Sequence, residues 1–158
     1  MSLIYSKKKG KKFEIYNTET RPLYQGRKTA KELKKAKIRV TMFVDSAIGL
    51  ALSEKVNKVF LGADALTKEG IINKIGSGLI ARIAKQQKIP VYIVADSWKF
   101  TREKIKIEQR SLNEVWERAP KKIRIKNPAF EFVSKEYIKG IITEFGNLSY
   151  DRFLRVVD

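Results

Sequence analysis

Residues 58–95 read KVFLGADALTKEGIINKIGSGLIARIAKQQKIPVYIVA, and the alternation inside this stretch decides the fold. Residues 58–61 are a short apolar run stopped by Gly62; a run of that length bounded by glycine reads as a buried strand. Asp64 stands at its end, before a loop that contains Gly70. Residues 74–87 then read as a helix, with Ile75, Leu79, Ile83 and Ala84 on one stripe. Lys88, Ile89 and Pro90 end it, and residues 91–95 form the next buried strand. A strand, a helix and a second strand in that order argue for parallel pairing, with helices packed on the sheet.

The same rhythm extends toward the N-terminus. Residues 13–18 alternate as a strand does, and 19–26 are loop-like, punctuated by Pro22 and Gly26. Residues 29–37 are helix formers, with Thr29 at the N-cap position and Glu32 three residues on, a capping-box pattern. Residues 38–44 are a β-branched strand that ends at Asp45, and 46–56 are apolar at helical spacing, with Asp45 and Ser46 placed to cap that helix. The expected fold is therefore α/β, an open and mainly parallel sheet with helices on both faces. The last third is less regular. Residues 103–110 are highly charged, 127–132 lead into a short strand, Ser134 is placed to cap a helix over 135–143, and 150–157 read as a final helix.

Composition narrows the chemistry. A chain of 158 residues with 43% hydrophobic content fits one domain with its own core. It has no cysteine and no histidine, which excludes disulfides, thiolate metal sites, a cysteine nucleophile and the commonest general base. No metal or cofactor is expected. No apolar stretch approaches the roughly 20 residues that span a bilayer, and no apolar segment follows the N-terminal lysines as a signal peptide requires. The expectation is a soluble cytoplasmic protein without membrane contact. The net charge is +17, with basic clusters at 7–12, 31–37 and 121–126. That charge suits weak contact with RNA or another polyanion, or it is simply a lysine-rich surface. The clusters carry no interleaved stacking aromatics.

Ligands of open parallel sheets bind beyond the carboxyl ends of the strands. Segments 19–26, 45–46, 62–74 and 96–100 are expected there. A carboxylate at Asp64 could shuttle a proton or hold a sugar hydroxyl; alternatively it accepts backbone hydrogen bonds at the strand end. Asn73 and Lys74 stand where the helix is expected to open, which suits a phosphate or an ordinary cap. Gly76 and Gly78 match neither G-x-G-x-x-G nor a Walker loop, and they fall inside the expected helix. Arg21 and Gln25 could reach a phosphate or carboxylate, and Arg21 is equally suited to anchoring its own loop. Trp98, Phe100 and Trp116 suit a core or an interface better than a stacking platform.

Five segments in order resemble one family. They are ETRPLYQGRKTAKEL at 19–33, VTMFVDSA at 40–47, VFLGADALTKEGIINKIG at 59–76, PVYIVADSWKF at 90–100 and ITEFG at 142–146. Together they are similar to the family that joins the alpha, beta and delta subunits of initiation factor 2B to methylthioribose-1-phosphate isomerase and ribose-1,5-bisphosphate isomerase. The resemblance implies that residues 1–158 form a single Rossmann-like domain, the family's C-terminal half without its N-terminal helical domain. It implies a homodimer, or a hetero-oligomer with related subunits. For the isomerases it implies an acid–base aspartate that falls on Asp64, with ligand contacts from Asn73, Lys74 and Lys99. The isomerases pair that aspartate with a cysteine on an earlier strand, which this chain lacks; residues 2–6 read as a remnant of that strand. The loop between Asp64 and Asn73 is also one residue shorter than in the isomerases.

These departures favour a non-catalytic domain of the initiation-factor-2B type. It would bind a phosphorylated sugar, a nucleotide or a partner subunit. The alternatives are a ribose-1,5-bisphosphate isomerase-like aldose–ketose isomerase, which needs two acid–base groups where only Asp64 is visible, and an RNA-associated basic protein.

Overall fold

The computed structural model describes residues 2–157 in two units, 2–51 and 52–157. The first unit opens with helix α1 (Ser2–Lys8), so the strand expected at 2–6 is not formed. No partner strand pairs with it, and Gly10, at φ 77°, ends the helix with its N–H on the Lys7 carbonyl. Strand β1 (Glu14–Thr18), helix α2 (Gln25–Lys35) and strand β2 (Arg39–Phe43) follow. The two strands pair in parallel from Glu14 opposite Arg39 to Thr18 opposite Phe43. A parallel pair needs a crossover, and α2 provides it.

Helix α2 starts four residues before the expected Thr29 cap. Tyr24 takes a left-handed backbone at φ 57° and ends the loop there. Gly26 then lies against the end of β1, where a Cβ would run into the Thr18 carbonyl. Asn17 Nδ2 donates to the Gly26 carbonyl at 2.8 Å. Thr29 sits inside the helix, its hydroxyl back-bonded to the Gln25 carbonyl at 3.3 Å. The helix stops where Lys37 enters the left-handed region at φ 57°. The N–H groups of Lys37 and Ile38 then bond the Lys34 and Leu33 carbonyls, a Schellman arrangement.

Asp45 does not cap the segment that follows it. Its carboxylate accepts the N–H groups of Thr20 (2.8 Å) and Arg21 (2.6 Å). The cause is topological: β1 and β2 are neighbours in register, so a carboxylate just past β2 meets the loop just past β1. A 3-10 turn, Asp45–Ala47, leads into helix α3 (Ile48–Ser53), which carries the chain into the second unit.

The second unit contains β3 (Val59–Leu61), β4 (Ala65–Leu66), β5 (Gly70–Lys74), α4 (Ser77–Gln86), β6 (Val91–Val94), β7 (Phe130–Ser134), β8 (Gly140–Thr143), β9 (Gly146–Leu148) and α5 (Tyr150–Val157). One sheet runs β3-β6-β8-β9, with the first three strands parallel and β9 antiparallel. A second, antiparallel sheet runs β4-β5-β7. The architecture is thus α/β. Its core is made by Leu66, Ile71, Val91, Ile93, Val133, Ile141 and Phe153. Burial of each such side chain contributes about 1.5–3 kcal/mol. Phe100 meets Phe153 edge to face, whereas Trp98, at 76% exposed, and Trp116, at 50%, are not core residues.

Two expected helices are corrected here. Residues 65–74, read as a loop and a helix start, form the β4–β5 hairpin, and α4 begins only at Ser77. Its partner β7 lies some sixty residues downstream, pairing Lys74 with Phe130 and Gly70 with Ser134. Ser134 does accept the Glu136 N–H, but it caps a single 3-10 turn, Lys135–Tyr137. The rest of the expected 135–143 helix is strand β8, because Ile141 fills a fully buried place between β6 and β9. No helix among the described residues is long and apolar enough to cross a membrane.

Candidate functional site

The parallel strands β3, β6 and β8 end side by side, with Leu61 opposite Ile93 and Val94 opposite Ile142. The chain leaves β3 as Gly62-Ala63-Asp64, leaves β6 toward a 3-10 turn at Ser97–Lys99, and leaves β8 at Glu144. Two of the expected segments, 62–74 and 96–100, therefore begin at one sheet edge by topology, and Glu144, which was not expected there, joins them.

At this edge the Lys99 ammonium donates to the Ala63 carbonyl at 2.7 Å. Asp64, the next residue, is exposed, and its own N–H donates to the Ile72 carbonyl at 2.8 Å. Both ties fall on the Ala63–Asp64 peptide unit and hold it in place, while the exposed Asp64 side chain faces solvent. Lys99 is half-buried and has two further N–H donors beyond the one on Ala63. Its turn is clamped by Glu144, whose carboxylate accepts the Ser97 N–H at 3.1 Å and the Ser97 hydroxyl. The bond from Ser97 holds the Glu144 carboxyl below the usual carboxylate range.

Asn73 and Lys74 do not open a helix. They end β5, and successive strand residues point to opposite faces. Asn73 faces the Asp64 loop, where a Cβ added to Gly62 would stand 3.8 Å from Asn73 Oδ1. Its Nδ2 donates to the Ser77 hydroxyl at 2.8 Å, and that hydroxyl donates to the Lys74 carbonyl at 2.7 Å. The charge of Lys74 is felt instead by Glu114. The bound Arg110 guanidinium is the main cause of that carboxyl's lowered pKa, with Asn127 and Lys74 adding to it. Asn73 and Lys74 are therefore not presented together. Gly76 is not inside α4 either; it precedes the first turn at φ 101°.

Sequence reasoning passed over Glu131. Its Oε1 accepts the N–H groups of Gly76 (2.6 Å) and Gly78 (3.0 Å), so the start of α4 is occupied by a side chain. The alternation of Phe130, Glu131 and Phe132 marks a strand, and nothing local marks its target.

Arg21 and Gln25 belong to the first unit. Arg21 donates to the Tyr24 hydroxyl at 2.6 Å, and exposed Gln25 is the first residue of α2. Among the described residues no group of three or more His, Cys, Asp or Glu side chains could hold a metal ion. A separate cavity of about 570 Å³ is lined in part by Thr67, Glu69, Thr101 and Phe132. Asp64, Asn73 and Lys99 are not among its lining residues.

Comparison with known proteins gives a consistent set. Residues 2–150 match the model of the initiation factor 2 subunit family. Over 148 residues the chain is 41% identical to ribose 1,5-bisphosphate isomerase of Archaeoglobus fulgidus, covering 87% of this chain and 46% of the relative. The crystal structure of the delta subunit of translation initiation factor eIF-2B from A. fulgidus superposes with a TM-score of 0.91 and 32% identity, over 99% of this chain and 50% of that one. That of 5-methylthioribose 1-phosphate isomerase from Pyrococcus horikoshii gives 0.89 and 29%, over 99% and 48%. The chain spans about half the length of these relatives.

Proposed function

The chain belongs to the initiation factor 2 subunit family, and from that premise we propose that it is a sugar-phosphate aldose–ketose isomerase of the ribose-1,5-bisphosphate type. This corrects the preference for a non-catalytic initiation-factor domain. A relative 41% identical over nearly the whole chain bears the name of an isomerase, and a second isomerase shares the fold at TM-score 0.89. The missing cysteine, the missing helical half and the shorter loop had argued otherwise; the proposal gives more weight to a similarity of 41% identity that covers 87% of this chain.

The observation that carries the proposal is the Lys99–Ala63 bond, which ties a cation to the loop that presents Asp64. Turning the phosphorylated C1 acetal of ribose 1,5-bisphosphate into its C2 ketone requires a proton to leave C2 and one to arrive at C1, while the C1–ring-oxygen bond breaks, the ring oxygen departs with negative charge and takes a proton, and the C2 hydroxyl gives up its own to become the carbonyl. Asp64 is the carboxylate this chain offers for the proton. Lys99 directs its remaining N–H donors at the oxygen or phosphate of the substrate, where a fixed cation stabilises developing charge. Asn73, on the same side of β5, orients the sugar. Lys74, on the other face, and Arg21 and Gln25, in the first unit, rest on their motifs alone. A second acid–base group is required, and a companion subunit is the source we assign to it.

The proposal extends to the rest of the protein. The parallel ladders in both units support a Rossmann-like, mainly parallel architecture, with 1–158 as one domain of the family. A phosphorylated sugar is the ligand, self-association or pairing with a related subunit is the expected assembly, and the cytoplasm the expected compartment. RNA contact rests on charge alone and forms no part of the proposal. Turnover of ribose 1,5-bisphosphate, with an Asp64→Asn control, is the test.

A further inference from the structure

Helix α4 begins with two backbone N–H groups converging on one carboxylate oxygen. Gly76 and Gly78 donate to Glu131 Oε1 at 2.6 and 3.0 Å. The first turn of a ten-residue helix carries free N–H groups and the positive end of the helix dipole, a combination that attracts anions. Here that place is filled from within the fold. Glu131 lies on β7 directly opposite Asn73 of β5, so the two side chains share one face of the ladder.

The glycines are shaped to this arrangement. A Cβ on Gly78 would stand 2.6 Å from Glu131 Oε2, and that carboxylate cannot swing away without losing two bonds. Gly76 adopts φ 101°, which turns its N–H toward the carboxylate and which side chains other than hydrogen rarely allow. Between them Ser77 is 4% exposed and links Asn73 Nδ2 to the Lys74 carbonyl. Glu131, Gly76, Gly78, Ser77 and Asn73 therefore form one connected set.

We propose that Glu131 is a positioning residue that closes the start of α4 to outside anions and, through Ser77, sets the Asn73 side chain. This rests on the isomerase reading only for the purpose it gives Asn73; the closed helix start stands apart from it. A substrate phosphate is then held by side chains such as Lys99 and not by the α4 amides, and Asn73 is left to the sugar.

The test is amide NMR of the whole chain titrated with inorganic phosphate, which needs no turnover and is indifferent to whether the protein is an isomerase. In the unaltered protein the Gly76 and Gly78 resonances should not move. In Glu131→Ala they should show a saturable shift, because the vacated amides take phosphate. Glu131→Gln keeps an acceptor oxygen and should restore the unresponsive behaviour. Phosphate-dependent shifts of Gly76 and Gly78 in the unaltered protein would overturn the proposal, as would unresponsive amides in Glu131→Ala. If Glu131→Ala does not fold, the unaltered protein and Glu131→Gln still decide the matter: shifts in either refute the closure, and silence in both supports it.

Discussion

The Lys99 ammonium stands 2.7 Å from the Ala63 carbonyl, one residue before Asp64. The relationship joins two neighbouring parallel strands at their carboxyl ends, because Ala63 follows β3 and Lys99 follows β6. It places a positive charge beside the loop of an exposed carboxylate, and among the described residues neither Asp64 nor Lys99 joins a carboxylate–ammonium ion pair.

Replacing that ammonium should affect both chemistry and folding. Lys99→Met keeps the apolar stem and removes the charge and its donors. Its turnover of ribose 1,5-bisphosphate should fall by about 100-fold, the scale of losing one fixed donor at developing charge. Stability should fall by about 1.5–3 kcal/mol, one charge-assisted hydrogen bond to the carbonyl of a buried residue. Steady-state kinetics and urea melts on the same preparation check both. Unchanged kinetics would remove Lys99 from the site.

Helix α4 ends as α2 does, with a lysine in the left-handed region. Lys88 has φ 59°, and Lys88 and Ile89 donate to the Lys85 and Ala84 carbonyls. A side chain there costs about 1–2 kcal/mol, whereas glycine has no such cost and loses about 0.5–1 kcal/mol through backbone entropy. Lys88→Gly should therefore stabilise the protein by about 0.5 kcal/mol, raising the urea midpoint at unchanged slope. Lys85→Gly, inside the helix, should destabilise by about 1 kcal/mol. A lower midpoint for Lys88→Gly would contradict the backbone reading.

Tyr150 gives an alkaline test. Its buried hydroxyl bonds the Thr67 carbonyl at 2.9 Å and also the Gly70 carbonyl, pinning the β4–β5 turn to α5. Burial is the main cause pushing its pKa well above the ordinary phenol value. The unfolded chain then releases this proton at lower pH than the folded protein does. The stability it contributes is full below about pH 10, the ordinary phenol value, and is lost as pH rises beyond it. Tyr150→Phe should cost about 1 kcal/mol at neutral pH and flatten the decline above pH 10. Urea melts from neutral to alkaline pH check this; an undiminished alkaline slope in the variant would assign the decline to other groups.

Much of this fold is legible in local sequence. The strands read at 13–18, 38–44, 58–61 and 91–95 and the helix at 150–157 all form, since each is an apolar run or stripe closed by glycine, proline or charge. The two misread helices, at 74–76 and 135–143, share one cause, a partner distant in sequence. Residues 71–74 join a ladder completed by Phe130–Ser134, so Lys74 is strand although its local context suits a helix. The hairpin tip, Lys68-Glu69, lacks the Asn-Gly or Asp-Gly signature that would have announced it. Residues 138–143 are apolar enough for either structure, and burial between β6 and β9 selects the strand. Asp64 and Lys99 could be nominated from motif resemblance, but the Lys99–Ala63 bond depends on which strands are neighbours. Glu131 was invisible because the amides it serves lie more than fifty residues upstream.

The most direct measurement is conversion of ribose 1,5-bisphosphate to its 2-keto isomer by the purified protein beside Asp64→Asn, with circular dichroism confirming that both are folded. The expected result is measurable turnover that drops about 10²- to 10⁴-fold in the variant, the usual contribution of a positioned acid–base group. Absence of turnover in the unaltered protein, alone and with a related subunit, or equal turnover in both forms, would contradict the assignment of Asp64 and with it the isomerase reading.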